Sequence, residues 1–125
     1  MKRAGLRVLI VDDSLLVVNR LAGMINDLGF VSSIASANSY NEAVTLIDFE
    51  KPQVILLDIY LPGKSGLDLL KYVKENHPHI KTIIITNKVS SSYKTLCEVT
   101  GSDHFIDKSS EFEMVPEIIS NYWES

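Results

Sequence analysis

The stretch Val54-Ile55-Leu56-Leu57-Asp58-Ile59-Tyr60-Leu61-Pro62-Gly63 decides the fold. Its first four residues are apolar and branched, with no polar residue alternating between them. A strand buried on both faces of a parallel sheet reads this way. The run stops at a carboxylate, and Pro62-Gly63 marks a turn soon after. Outward from it, Val8–Val11 and Ile83–Ile85 repeat the pattern, and Phe105–Ile106 does so more weakly. Phe30–Ala35 carries Ser32 and Ser33 and suits an edge strand.

Helical spacing fills the gaps. Val18, Leu21, Ala22, Ile25 and Leu28 recur before Gly29, and Ser39 with Glu42 makes a capping box ahead of Ala43, Leu46 and Ile47. Leu67, Leu70 and Val73 line a third helix, ended by His77-Pro78. Ser90–Ser92 can cap a fourth, through Tyr93, Leu96 and Cys97, which Gly101 closes. Ser110 with Glu113 reads as a capping box for a last helix along Phe112, Val115, Ile118, Ile119 and Tyr122, which Pro116 should kink or divide. Strict alternation of strand and helix predicts an α/β fold in one domain over residues 1–125, with helices on both faces of a five-stranded parallel sheet. The second and fifth runs are the weakest and fit the edges of the doubly wound order 2-1-3-4-5.

Composition excludes several classes. The chain has 125 residues, 46% of them apolar, enough to bury a core and too many for a disordered segment. Twelve basic against sixteen acidic residues leave a net charge of -4, without the basic face of a nucleic-acid-binding module. Cys97 is the only cysteine, read as a small buried apolar residue. The basic amino end before Leu9 begins like a signal peptide, but its apolar run is short and stops at Asp12-Asp13 without a cleavage site. No run is long enough to span a bilayer, so a cytoplasmic location is expected.

In such sheets, ligands bind beyond the carboxyl ends of the strands. There the first strand runs into Asp12 and Asp13, the third into Asp58, the fourth into Thr86 and the fifth into Lys108. Taken singly, Asp13 reads as a helix cap and Asp58 as a loop acid; polar groups at four strand ends after apolar runs point instead to a common mouth. Three converging acids repel one another unless a cation joins them, and oxygen-only ligands suit Mg²⁺. A carboxylate can also attack phosphorus, while an ammonium and a hydroxyl would offset or bind the phosphoryl oxygens.

These segments, Val8 to Ser14, Leu56 to Gly63 with Ser65-Gly66, Ile84-Ile85-Thr86 and Phe105-Ile106-Asp107-Lys108, resemble the receiver domain of two-component response regulators over essentially the whole chain. The resemblance implies a flavodoxin-like sheet like that of the stand-alone chemotaxis regulators. It implies Asp58 as phosphoacceptor, Mg²⁺ held by Asp12, Asp13, Asp58 and the Tyr60 carbonyl, and Thr86 and Lys108 on the phosphoryl group. Phe105 fills the position of the family's aromatic switch. The implied partners are a sensor histidine kinase or phosphotransfer protein and a downstream protein target, met by the fourth helix, fifth strand and fifth helix, with no direct role for nucleic acid or membrane. Such a domain catalyses only its own phosphorylation and dephosphorylation. If Ser125 ends the whole protein, output is expected through a bound partner rather than an attached effector domain. Ser109 stands where the family often has proline, and Asn87 where it usually has a small residue.

Rival readings fare worse. Gly63-Lys64-Ser65 mimics the end of a P-loop, yet Asp58 occupies the position of its first glycine. A Mg²⁺-dependent aspartate-nucleophile phosphatase usually has a second aspartate where Tyr60 stands, and a flavin-binding electron carrier would not place Asp12-Asp13 against a phosphate. His77 and His79 read as solvated loop, and Tyr122 and Trp123 as anchors of the last helix. Tyr60 and Lys88 flank the approach of water to an acyl phosphate, so slow self-dephosphorylation is expected.

Overall fold

The computed structural model describes residues 4–87 and 90–125. Five strands, β1 (Leu6–Val11), β2 (Val31–Ala37), β3 (Val54–Leu57), β4 (Lys81–Thr86) and β5 (His104–Asp107), alternate with α1 (Leu15–Asn26), α2 (Tyr40–Glu50), α3 (Gly66–Asn76), α4 (Ser91–Thr100) and α5 (Val115–Glu124). All pairings are parallel and the order is β2-β1-β3-β4-β5, the expected doubly wound order, with the two weakest runs at the edges.

The unbroken apolar runs follow from burial on both faces. Leu6, Val8 and Ile10 of β1 pack with Val18, Leu21 and Ile25 of α1 and with Val115 and Ile119 of α5. Leu9 and Val11 of the same strand join Ala43, Ile47, Leu69, Leu70, Val73 and Cys97 on the opposite face. The sheet therefore has α1 and α5 on one side and α2, α3 and α4 on the other. Cys97 is buried, as its lack of motif implied, and burial pushes its thiol up.

The β2 edge begins at Val31 and reaches Ala37, later at both ends than the Phe30–Ala35 run, because its pairing with β1 extends to Val11↔Ala37. The predicted Ser110–Glu113 capping box does not form. Glu111 precedes a short 3₁₀ turn, Phe112–Met114, which makes no side-chain cap bond, and α5 starts only at Val115. Pro116 sits in the first turn of α5, where its missing N–H is no loss, and the stretch is divided just before it into the 3₁₀ turn and α5, the second of the two expected outcomes. At the other pole from the strands' carboxyl ends, Trp123 stacks on Phe30 with centroids 5.2 Å apart. No helix among the described residues is long and apolar enough to cross a membrane.

Candidate functional site

Strand register builds the site. Val11 is level with Leu57, and the Asp58 N–H donates to the Val11 carbonyl at 2.9 Å, so Asp12 and Asp58 leave the sheet side by side. Leu57 pairs with Ile84, which brings Thr86 to the same rim. Thr86 pairs with Asp107, and the Lys108 N–H donates to the Thr86 carbonyl at 3.0 Å. The chain leaves β1 toward α1 on one face of the sheet and leaves neighbouring β3 toward α3 on the other, and this switch opens the mouth.

There the Lys108 ammonium bridges Asp12 Oδ2 at 2.6 Å and Asp58 Oδ2 at 2.8 Å, with all three side chains largely buried. The remaining oxygens have backbone donors: Ser14 N–H to Asp12 Oδ1 at 2.8 Å and Tyr60 N–H to Asp58 Oδ1 at 3.0 Å. Burial pushes the Asp58 carboxyl above its ordinary value, against the pull of Lys108 and the Tyr60 N–H. Burial opposes the charge on Lys108, but its bonds to Asp12 and Asp58 hold its pKa above the usual lysine value.

Two features of this mouth suit added ligands. Oxygens of Asp12, Asp13 and Asp58 lie within 4.8 Å of one another, an all-oxygen set that could hold a hard cation. Asp13 is exposed. Thr86 is fully buried, and its Oγ1 makes no hydrogen bond among the described residues. A buried hydroxyl without a partner is costly unless an acceptor reaches it.

The loops that carry these groups have their own fixings. Ser65 caps α3 by accepting from the Asp68 N–H at 3.3 Å, while Asp68 Oδ2 accepts from the Ser65 N–H at 3.2 Å. This capping box is legible as Ser65-x-x-Asp68 but was hidden under the P-loop likeness. Gly66 is required by contact: a Cβ there would stand 2.2 Å from the Asp58 carbonyl oxygen. Gly66 N–H also donates to the Ile59 carbonyl at 2.7 Å.

Beyond β5, Asp107 Oδ1 accepts from the Ser109 N–H at 2.9 Å and the Ser109 hydroxyl at 2.7 Å, and Glu111 Oε1 accepts from the Asp107 N–H at 3.1 Å. The Ser109 hydroxyl and N–H hold the Asp107 carboxyl below its usual range. This Asx-type clamp shapes the turn after Lys108 where proline is absent, and the Lys108–Ser109 peptide is trans. Its signature in the sequence is Asp107-x-Ser109, a local pattern that hydrophobic periodicity does not reveal.

Other candidates fall as follows. Phe105 is half-buried against the α2–α3–α4 face and level with Ile84. Asn87 is exposed, and Lys88 lies outside the described residues. Tyr60 is partly exposed beside the mouth, its ring edge-on to Tyr93. His77 is more than solvated loop: its Nε2 lies 3.0 Å from Asp48 Oδ1, while the Tyr72 hydroxyl donates to the same oxygen at 2.8 Å.

A phosphoryl-accepting signalling fold is the class that this sheet and this acid–lysine mouth define. The family described as the response regulator receiver domain matches residues 8–120, and the chain belongs to it. Among curated proteins, the response regulator GacA of Pseudomonas viridiflava is 30% identical over 103 residues, covering 82% of this chain and 48% of that one. The transcriptional regulatory protein YdfI of Bacillus subtilis is 41% identical over 71 residues, 57% of this chain and 33% of its own. The chain thus spans half or less of the length of these relatives. Among solved structures, a CheY-like receiver domain protein from Methanospirillum hungatei superimposes with a TM-score of 0.87 at 25% identity, covering 96% of this chain and 94% of that one. The phosphatase and flavin readings find no support in these comparisons.

Proposed function

We propose that Asp58 is the residue phosphorylated in this receiver domain. The observation that carries the reading is the buried Thr86 hydroxyl, without a hydrogen-bond partner among the described residues, on the rim that also holds the Lys108–Asp58 pair. In the reaction, an Asp58 carboxylate oxygen bonds to phosphorus as the donor's bond to phosphorus breaks, leaving an acyl phosphate and a freed donor group. With a histidine kinase or phosphotransfer protein as donor, the bond broken is P–N and the imidazole takes up a proton. Lys108 would then give a charge-assisted bond to a phosphoryl oxygen, and Thr86 a neutral one. Asp12, Asp13 and Asp58, with the Tyr60 carbonyl, would hold Mg²⁺, which offsets charge on the phosphoryl oxygens when bound.

The output reading is that this charge draws the segment after β4 toward Asp58 and turns Phe105 inward, altering the α4–β5–α5 face that a downstream protein meets. Residues 1–125 act in this reading as one receiver unit.

Acetyl phosphate with Mg²⁺ should add one phosphoryl group, seen by intact-mass spectrometry and absent in Asp58→Ala or without divalent metal. Lys108→Ala should slow labelling by roughly 10- to 100-fold, the equivalent of losing a charged hydrogen bond. Labelling that persists in Asp58→Ala contradicts the assignment.

A further inference from the structure

α4 is the helix least secured by burial, since Cys97 is its only buried residue. Its opening turn, capped by Ser90 accepting from the Tyr93 N–H at 3.2 Å, instead projects Tyr93 toward the mouth. There the Tyr93 ring meets the Tyr60 ring edge-on, with centroids 6.2 Å apart and planes at 70°. That is the favourable T-shaped geometry of an aromatic pair.

Tyr60 is tied to the other side of the same contact. Its N–H donates to Asp58 Oδ1 at 3.0 Å, so a change at that carboxylate bears on the backbone from which the ring projects. We infer that Tyr60 and Tyr93 form an aromatic latch that holds the first turn of α4 to the Asp58 loop and passes the state of Asp58 directly to α4. This route is separate from Thr86 and Phe105, and its signalling role rests on the phosphorylation of Asp58 proposed above. Tyr60 and Tyr93 act as positioning residues: neither is assigned a side-chain contact with the phosphoryl group.

The latch has consequences with and without phosphorylation. In the unphosphorylated protein it protects α4, so Tyr60→Ala should speed amide exchange at residues 93–98 by about two- to tenfold, the range expected for losing an aromatic pair. Tyr93→Phe, which keeps the ring edge, should retain most of that protection. Unchanged α4 exchange in Tyr60→Ala overturns the latch whether or not Asp58 is ever phosphorylated.

The second arm reads the acyl phosphate. Its decay is attack of a water oxygen on phosphorus with cleavage of the phosphorus–oxygen bond to Asp58, releasing inorganic phosphate and a proton and restoring the carboxylate. A latched pair covers that approach as a unit. Tyr60→Ala and Tyr93→Ala should each shorten the acetyl phosphate-derived label's lifetime, and the double variant no further than the larger single effect. Additive shortening, or a normal lifetime in Tyr93→Ala, overturns the coupling. A wild-type protein that takes no label on Asp58 refutes the phosphorylation reading and leaves the exchange arm to judge the latch.

Discussion

Asp58 is a carboxylate held where a carboxylate is costly. Its pKa is raised mainly by burial, so between the ordinary aspartate value and its folded value the native state binds more protons than the unfolded chain. Stability contributed by this group is therefore present in acid and falls as pH rises through that window. Asp58→Asn removes the cost while keeping an acceptor for Lys108. It should melt at a higher temperature than the wild type near neutral pH, with the gain shrinking below the ordinary aspartate range. Thermal melts across that range check this, and a lower melting temperature at neutral pH would contradict it. Asp12, Asp58 and Thr86 were legible because each is polar where an apolar run stops, and Lys108 because it follows the Phe105-Ile106-Asp107 strand end by one residue. Asp107, Ser109 and Glu111 were not, because their bonds are local to a turn and leave no mark on hydrophobic periodicity.

Elements place those residues, and α3 shows how tightly. Its first residue, Gly66, lies so close to the Asp58 carbonyl that a methyl group has no room, the nearest backbone atom being 2.2 Å from the added carbon. Gly66→Ala must push the start of α3 away from β3 and should destabilise by about 1–3 kcal/mol, as overpacking does. It should also slow phosphoryl labelling, because Asp58 moves with its backbone; denaturant titration and labelling rate together check this. A normal rate in a destabilised protein would show the contact to be structural only. α5 marks the opposite limit of sequence reasoning. Ser110-x-x-Glu113 has the letters of a capping box, but a tight turn closed by Glu111 comes first, and Pro116 finds its place in the first helical turn. Motif letters alone cannot tell which of two neighbouring acids the fold will use.

At the scale of the whole molecule, one helix, α4, is less well tied down than the rest. α1 and α5 bury several large side chains against β1, whereas α4 contributes Cys97 alone. Asp103 ties the strand leading from it, accepting from the Thr82 N–H at 2.9 Å and pairing with Lys74 at 3.4 Å. Phosphorylation should therefore be read out mainly over residues 90–123, and least in α1 and α2, by differential amide exchange with and without phosphodonor. Changes confined to the first two helices would contradict the output reading. The layered fold and its two edge strands were legible because burial on both faces leaves an uninterrupted apolar signature that weakens at the edges, while the order of the inner strands came from the family resemblance; the uneven anchoring of the helices was not legible, since α4 carries Tyr93, Leu96 and Val99 that periodicity alone cannot assign to core or surface. The stacking of Trp123 on Phe30 bears on how such events can be watched. This is the chain's only indole, and it reports optically on the seam between the last helix and the β2 edge, a pole remote from the carboxylates. Its emission should brighten or shift when that seam opens on unfolding, whereas phosphorylation should reach it only as the far end of the responsive segment and change it less than it would change a second indole placed at Phe105.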